Sequence, residues 1–242
     1  MNDGKTEFLV IGAKHLLKKI GKEHTFRIGD ETITASQSAK NIGATIDCNL
    51  DLRSHVNNIA RSCYYHLRNI GHIRPHISND TAATLVHAFI SSKLDNLNSL
   101  LVGLPETVIR KLQLIQNQAA KIVTRKKKYD HVTPILKELH WLPIKMRIKF
   151  KVCLLTFKSL HGLAPKYVSD MLVRYVPRRY LRSIHENFLR RRIPNLKNTG
   201  GRSFAVSAPK MWNALPSKLR KCNDLEAFKS GLKTHLFREA FV

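Results

Sequence analysis

Acidic residues are scarce in this chain. It has 242 residues and carries 17 Asp and Glu against 42 Lys and Arg, and no two aspartates are adjacent anywhere. Cysteine is thin as well. Cys48, Cys63, Cys153 and Cys222 stand far apart, with no C-x-x-C and no Cys/His pair at metal spacing, which argues against a zinc site or a disulfide framework. Apolar runs are short: none approaches the roughly 20 residues a membrane span needs, and the N-terminus has no apolar signal core. A G-x-S-x-G elbow is missing, so no local nucleophile signature is present. No internal repeat is visible. These absences predict an intracellular protein, nuclear or cytoplasmic and not secreted, with no membrane partner.

What is present is positive charge, unevenly spread. The hydrophobic share of 43% is enough for a core, and the formal net charge is +25. Residues 1–120 hold 14 basic and 10 acidic residues, net +4; residues 121–242 hold 28 and 7, net +21. Surplus that large and localised repels itself without a polyanion nearby, so nucleic acid is the leading expected partner. A basic surface serving solubility alone is the plainer alternative. A membrane-surface role would need a basic helix with one apolar face or a lipidation motif, and neither occurs.

Along the chain, residues 5–47 pattern as β structure. Glu7 to Gly12 is a short apolar run, Thr25 to Ile28 and Thr32 to Ala35 flank a Gly29-Asp30 turn, and Asn41 to Asp47 predicts a further strand. From Leu52 the period becomes helical. Val56, Ile59, Cys63, Leu67 and Ile70 share a face, with Gly71 as the stop. Asn79-Asp80 is positioned to cap a second helix, and Pro105 opens a third that bears Val108, Leu112, Ile115, Ala119 and Ile122. A turn is expected near His131 to Pro134. Pro143 and Gly162 then punctuate a central helix, followed by a short helix from Pro165 to Leu172.

That central helix is apolar on two faces. Ile144, Ile148, Val152 and Leu155 lie on one side; Met146, Phe150, Cys153, Phe157 and Leu160 lie on the other. Two cationic stripes separate them, Lys145 with Lys149 and Arg147 with Lys151 and Lys158. Such a helix must be packed on both sides, mid-bundle. Residues 173–223 lose the helical pattern, with Pro209 and Pro216 bracketing a turn around Trp212, and a final helix is expected from Asp224.

Twelve histidines invite a metal reading, but their placement gives no ligand set. His72 and His76 have Pro75 between them, and His131, His140 and His161 fall in separate elements. Basic segments carry more. Arg125, Lys126, Lys127 and Lys128 follow a helix C-terminus, where the macrodipole accounts for one or two cations but not four. Between 173 and 193, Arg174, Arg178, Arg179, Arg182, Arg190, Arg191 and Arg192 face only Glu186 and interleave with Tyr175, Tyr180 and Phe188. Guanidinium forks on phosphate and aromatic faces on unpaired bases suit single-stranded or irregular RNA. A solvated basic loop that orders only within a larger protein is the alternative.

Several motifs occur in series: K-T-E at Lys5 to Glu7, N-I-G-A-T-I-D at Asn41 to Asp47, S-K-L-D-N-L-N-S-L-L-V-G-L-P at Ser92 to Pro105, and K-L-Q-L-I-Q-N-Q-A-A-K-I-V-T at Lys111 to Thr124. H-V-T-P-I-L-K-E-L-H-W-L-P at His131 to Pro143, F-K-S-L-H-G-L-A-P at Phe157 to Pro165 and W-N-A-L-P at Trp212 to Pro216 complete it. In this order they make the chain resemble the C-terminal part of the reverse transcriptase of jockey-like and chicken-repeat-like non-LTR retrotransposons. The resemblance covers essentially the whole chain. One departure is Asn96-Leu97, where relatives commonly show Tyr-Cys, so those positions receive no family role.

The resemblance implies a fold that is mainly α with a small N-terminal antiparallel β segment. Residues 1–50 would end a polymerase palm and form its primer grip, 51–172 would be a thumb-like helical bundle, and 173–242 a basic C-terminal region with a final helix. The family's catalytic aspartates lie upstream of K-T-E. Two-metal phosphoryl transfer needs clustered carboxylates, so this chain is expected to be a truncated, catalytically silent copy. No cofactor is expected in it; magnesium belongs to the full-length parent. Expected partners are RNA or an RNA–DNA hybrid, a DNA target, and an upstream palm and fingers region. The binding candidates are Lys5, Ile42, Gly43, Arg125 to Lys128, Lys145, Arg147, Lys149, Lys151, Arg178, Arg179, Arg182 and Arg190 to Arg192. Lys5 would lie near the incoming triphosphate, or be a surface lysine at a strand end. Ile42-Gly43 would let backbone approach the primer, or form an ordinary bulge. The different-class alternative is a protein-interaction or structural remnant with no nucleic-acid role. His140-Trp141 is expected to be packing.

Overall fold

The structure is a computed structural model that describes residues 6–13, 16–17, 19, 24–29, 31–177, 179, 186–194 and 199–242. It is mainly helical with a small β segment near the start. The chain divides into two compact units, 1–62 and 63–242. The second holds 33 of the 42 Lys and Arg and 10 of the 17 Asp and Glu.

In the first unit, β2 (Thr25–Ile28) and β3 (Glu31–Ser36) form the expected hairpin, with Thr25 opposite Thr34 and Ile28 opposite Glu31. Only Phe8–Leu9 of the Glu7 to Gly12 run is strand; this β1 pairs parallel with Ala35 and Ser36 of β3. Asn41 to Asp47 differs from the single strand predicted. It spans the turn of a second hairpin, β4 (Ser38–Asn41) with β5 (Ala44–Asp47), reversing at Ile42 (φ 46) and Gly43 (φ 82). Two successive left-handed residues give a two-residue turn whose twist matches the strands. Beyond β5 the Asp47 carboxylate accepts from the backbone amides of Asn49, Asp51 and Leu52 at 3.0, 3.0 and 2.7 Å, fixing the approach to α1 (Arg53–Ile73). His55 is buried, accepts from the Thr45 amide through Nδ1 at 3.4 Å, and is pushed below its usual range by burial.

Helix α1 runs past Gly71, because an interior glycine costs only about 1 kcal/mol, and gives way to a 3₁₀ turn at Arg74–His76. Ser78 caps α2 (Asn79–Val86), its hydroxyl accepting from the Thr81 amide at 3.1 Å; Asn79 and Asp80 lie inside the helix instead. The helical path continues through a π turn (His87–Ser91) into α3 (Ser92–Asp95). Helix α4 (Glu106–Thr124) starts after Pro105, as expected, and buries Val108, Leu112, Ile115 and Ala119. The predicted turn at His131 to Pro134 is instead the start of α5 (Val132–Glu138). Pro134 sits in the first turn, where amides have no intrahelical partner and a missing N–H is harmless.

Helix α6 (Ile144–Leu160) is packed on both faces. Ile144, Ile148 and Val152 are buried on one side, Cys153 and Phe157 on the other. Its start is held by α4: Gln113 Oε1 accepts from the Ile144 amide, and Gln116 Nε2 donates to the Leu142 carbonyl, both at 2.9 Å. Gly162 (φ 70) ends it, and α7 (Lys166–Ser169) follows.

The region expected to be non-helical before Asp224 contains α8 (Thr199–Arg202), α9 (Phe204–Asn213) and α10 (Ser217–Arg220). Pro209 lies inside α9, and Trp212 is a core residue rather than the middle of a turn. Helix α11 (Leu225–Phe241) is capped by Asp224, which accepts from the Ala227 amide at 2.6 Å. Its Phe228, Leu232 and Leu236 join Cys153, Phe157, Leu189 and Trp212 in one buried cluster. Phe228 stacks on Phe157 at 4.3 Å and tilts against Trp212 at 5.8 Å. Burying such rings, at about 1.5–3 kcal/mol each, outweighs the roughly 3 kcal/mol an interior proline costs a helix. No helix among the described residues is long and apolar enough to cross a membrane.

Candidate nucleic-acid interface

The second unit has an open groove of about 930 Å³ between the C-terminal half of α1 and α4. Its apolar wall comes from Tyr64 and Leu114, 43% and 49% exposed. Gln118, Lys121, Arg125, Lys126 and Lys128 supply the polar side, and no carboxylate lines it among the described residues.

Arg74 builds the end of this groove. The residue is 7% exposed, and its guanidinium donates from Nε to Ile122 O at 2.8 Å, from Nη1 to Ile77 O at 2.7 Å, and from Nη2 to Val123 O at 2.9 Å and to Asn79 Oδ1. Two of these acceptors are carbonyls of the last turn of α4, where helical donors run short and cations are attracted; Ile122 O also takes the Arg125 amide at 3.4 Å. Burial, and next the charge of Arg125, push Arg74 downward from its usual value; the four acceptors offset that cost. Arg125 (φ 54) ends the helix in a left-handed conformation and donates to Ile77 O at 3.0 Å. Lys126 closes the cap with its amide on Lys121 O at 3.0 Å. The Lys121 ammonium reaches Lys128 O at 2.5 Å. Lys128 lies over the Tyr129 ring at 5.8 Å, and that ring is 88% exposed.

Of the four-residue basic run, Arg125, Lys126 and Lys128 therefore line one groove, while Lys127 is exposed beside it with its amide on Asp130. The stripes on α6 divide. Arg147 is ion-paired to Asp95 at 2.6 Å and donates to Leu142 O at 3.0 Å, and Lys149 pairs with Glu239 at 2.7 Å. These two would meet phosphate only by releasing a carboxylate. Lys145 is 3.8 Å from Glu106 with both side chains about three-quarters exposed, a pair worth about 0–1 kcal/mol that leaves it available. Lys151 is exposed, and Lys158 is half-buried.

The C-terminal arginines are only partly gathered. Arg190, Arg191, Arg192 and Arg179 are exposed; Arg190 follows the bridge between Arg174 and Leu189. Phe188 packs on the Arg220 guanidinium, 4.2 Å from ring centre to Cζ. Ile42 and Gly43 form the β4–β5 turn of the first unit, Ile42 being 86% exposed. Lys5, Arg178 and Arg182, with Tyr180, lie outside the described residues. Trp141 is buried as expected, while His140 is exposed and stacks on Phe237 at 5.8 Å.

Arg74, Tyr64 and Lys121 are the groove residues that sequence reasoning missed. Arg74 sits in I-R-P-H with no local sign that it would be buried, and Tyr64 lies off the apolar face of α1. Lys121 was legible as a cation one helical turn before the basic run on a helix already assigned. Compared with protein-family models, with curated proteins and with solved structures, the chain matches none.

Proposed function

We propose that this chain holds nucleic acid and carries out no phosphoryl transfer of its own, as the C-terminal part of an RNA-directed DNA polymerase of the non-LTR retrotransposon kind. The observation that supports this reading best is the groove between α1 and α4: four cations besides the buried Arg74, exposed Tyr64 and no carboxylate among the described residues. That composition suits a phosphate backbone passing an aromatic face. The helices of the second unit would act as the thumb, contacting a duplex by shape and phosphate rather than by base. The β4–β5 turn would act as the primer grip. The sequence offers no adjacent aspartates to hold two metals.

The test is binding of a fluorescent RNA–DNA hybrid to the purified chain across a range of salt concentrations, beside a magnesium-dependent primer-extension assay. Binding that weakens with a log–log slope of about −3 for four phosphate contacts, without extension, is expected. Binding that is absent or flat with salt overturns the nucleic-acid reading, and extension overturns the claim of catalytic silence.

A further inference from the structure

A second cleft, of about 340 Å³, lies among the π turn, the start of α6 and α11, away from the groove. Trp141, Leu142, Phe150 and Leu154 make an apolar wall. Trp141 is braced by the edge-on ring of His87 at 5.3 Å. The π turn that begins at His87 re-aims the side chains of that stretch, a distortion that recurs at binding sites. Arg147 and Lys151, one helical turn apart on α6, and Lys233 from α11 bring three cations to the cleft. The one carboxylate lining it among the described residues, Asp95, is already paired with Arg147.

Asn98 forms part of the floor and is 3% exposed. Among the described residues its Oδ1 has no partner, and its Nδ2 makes only a long 3.4 Å contact to Asp95. A buried amide with unused hydrogen-bonding capacity is costly unless something supplies a donor. Oδ1 is itself buried, so a ligand donor reaches it only when the Asn98 side chain turns toward the cleft.

A ligand answering all three features has a flat apolar face, an edge N–H and a negative charge. We propose that this cleft binds one unpaired nucleotide of a nucleic-acid strand, with its base against the Trp141–Phe150 wall, an edge N–H donated to Asn98 and its phosphate held by Lys151 and Lys233. The volume is at the small end of ligand clefts, roughly 300–1,000 Å³, and admits a single nucleotide and not a duplex. A base must therefore leave its stack to enter, which favours single strands and frayed ends. The proposal rests on the nucleic-acid reading above for the strand to which the nucleotide belongs.

The experiment uses the full chain and two readouts. Adenosine 5′-monophosphate is titrated against tryptophan fluorescence, with inorganic phosphate and adenosine as comparisons and Trp141→Phe to locate the signal. In parallel, a short single-stranded RNA and a blunt duplex are bound to wild type and to Lys151→Glu/Lys233→Glu, both exposed positions. Quenching by the monophosphate that exceeds either comparison is expected. The double variant should lose about tenfold in affinity for the monophosphate and the single strand, a larger fold-change than its duplex affinity shows. Absent quenching with unchanged single-strand affinity in the variant overturns the cleft; salt-dependent duplex binding in the same samples would leave the groove reading standing. Quenching that single-stranded RNA does not compete away overturns the strand as the source and assigns the cleft to free mononucleotides.

Discussion

The Arg74 guanidinium donates from Nη2 to the Val123 carbonyl at 2.9 Å, joining residues 49 positions apart. Together with its bonds to Ile122 and Ile77, this contact ties the end of α1 to the end of α4. The backbone that carries Arg125, Lys126 and Lys128 leaves α4 at that knot. The groove's cations are thus positioned by a cation that is not itself available to a ligand.

Replacing Arg74 tests that arrangement. Arg74→Ala leaves the Val123 carbonyl without its donor and removes the other guanidinium bonds, and is expected to cost about 3 kcal/mol in urea unfolding. Arg74→Lys should recover less than half, because a point charge cannot reproduce the guanidinium fork. Full recovery by lysine would show that charge alone matters at this position.

The β4–β5 turn stores strain at an exposed tip. Ile42 is β-branched and holds φ 46, a conformation that costs an L-residue about 1–2 kcal/mol. Ile42→Asn makes an Asn-Gly turn and should slow amide exchange in β4 and β5, consistent with a gain of about 1 kcal/mol. If the tip grips a primer strand, the same variant binds hybrid more weakly. A stabilised hairpin with unchanged affinity would remove Ile42 from the interface.

Acid stability should report on Glu186. Hydrogen bonds from Lys221, then Ser217 and Arg220, hold its carboxyl at about 2, below the usual 4.5. A depressed carboxylate favours the folded state above its unfolded value. Its contribution is therefore full above about pH 4.5 and is lost as the pH falls through about 2. Glu186→Gln should lower stability at neutral pH and flatten the unfolding curve within that window. Parallel wild-type and variant profiles there would contradict the assignment.

The parts of this fold legible in the sequence are those set by local punctuation and period. Pro143 and Gly162 bound α6 because one presets the helical entry and the other permits the left-handed exit, and its two-faced pattern correctly placed it between packed layers. Pro105 did the same for α4. Other features depend on partners distant in sequence. Pro209 signals a helix break locally, yet Trp212 and Phe228 bury enough ring surface to keep α9 intact. Arg147 looked like a free stripe cation because Asp95, 52 residues away, is invisible to a helical wheel. The basic run at Arg125 to Lys128 was visible as charge; that three of its members face a groove walled by Tyr64 follows only from the tertiary placement of α1 and α4 on either side of it.

The central claim is tested most directly by the salt dependence of RNA–DNA hybrid binding, wild type against Lys121→Ala/Lys126→Ala/Lys128→Ala, with circular dichroism to confirm equal folding. With phosphates seated on these three cations, the triple variant binds more weakly and its log–log slope is shallower by about 2 to 3. Equal slopes for the two proteins would contradict the account.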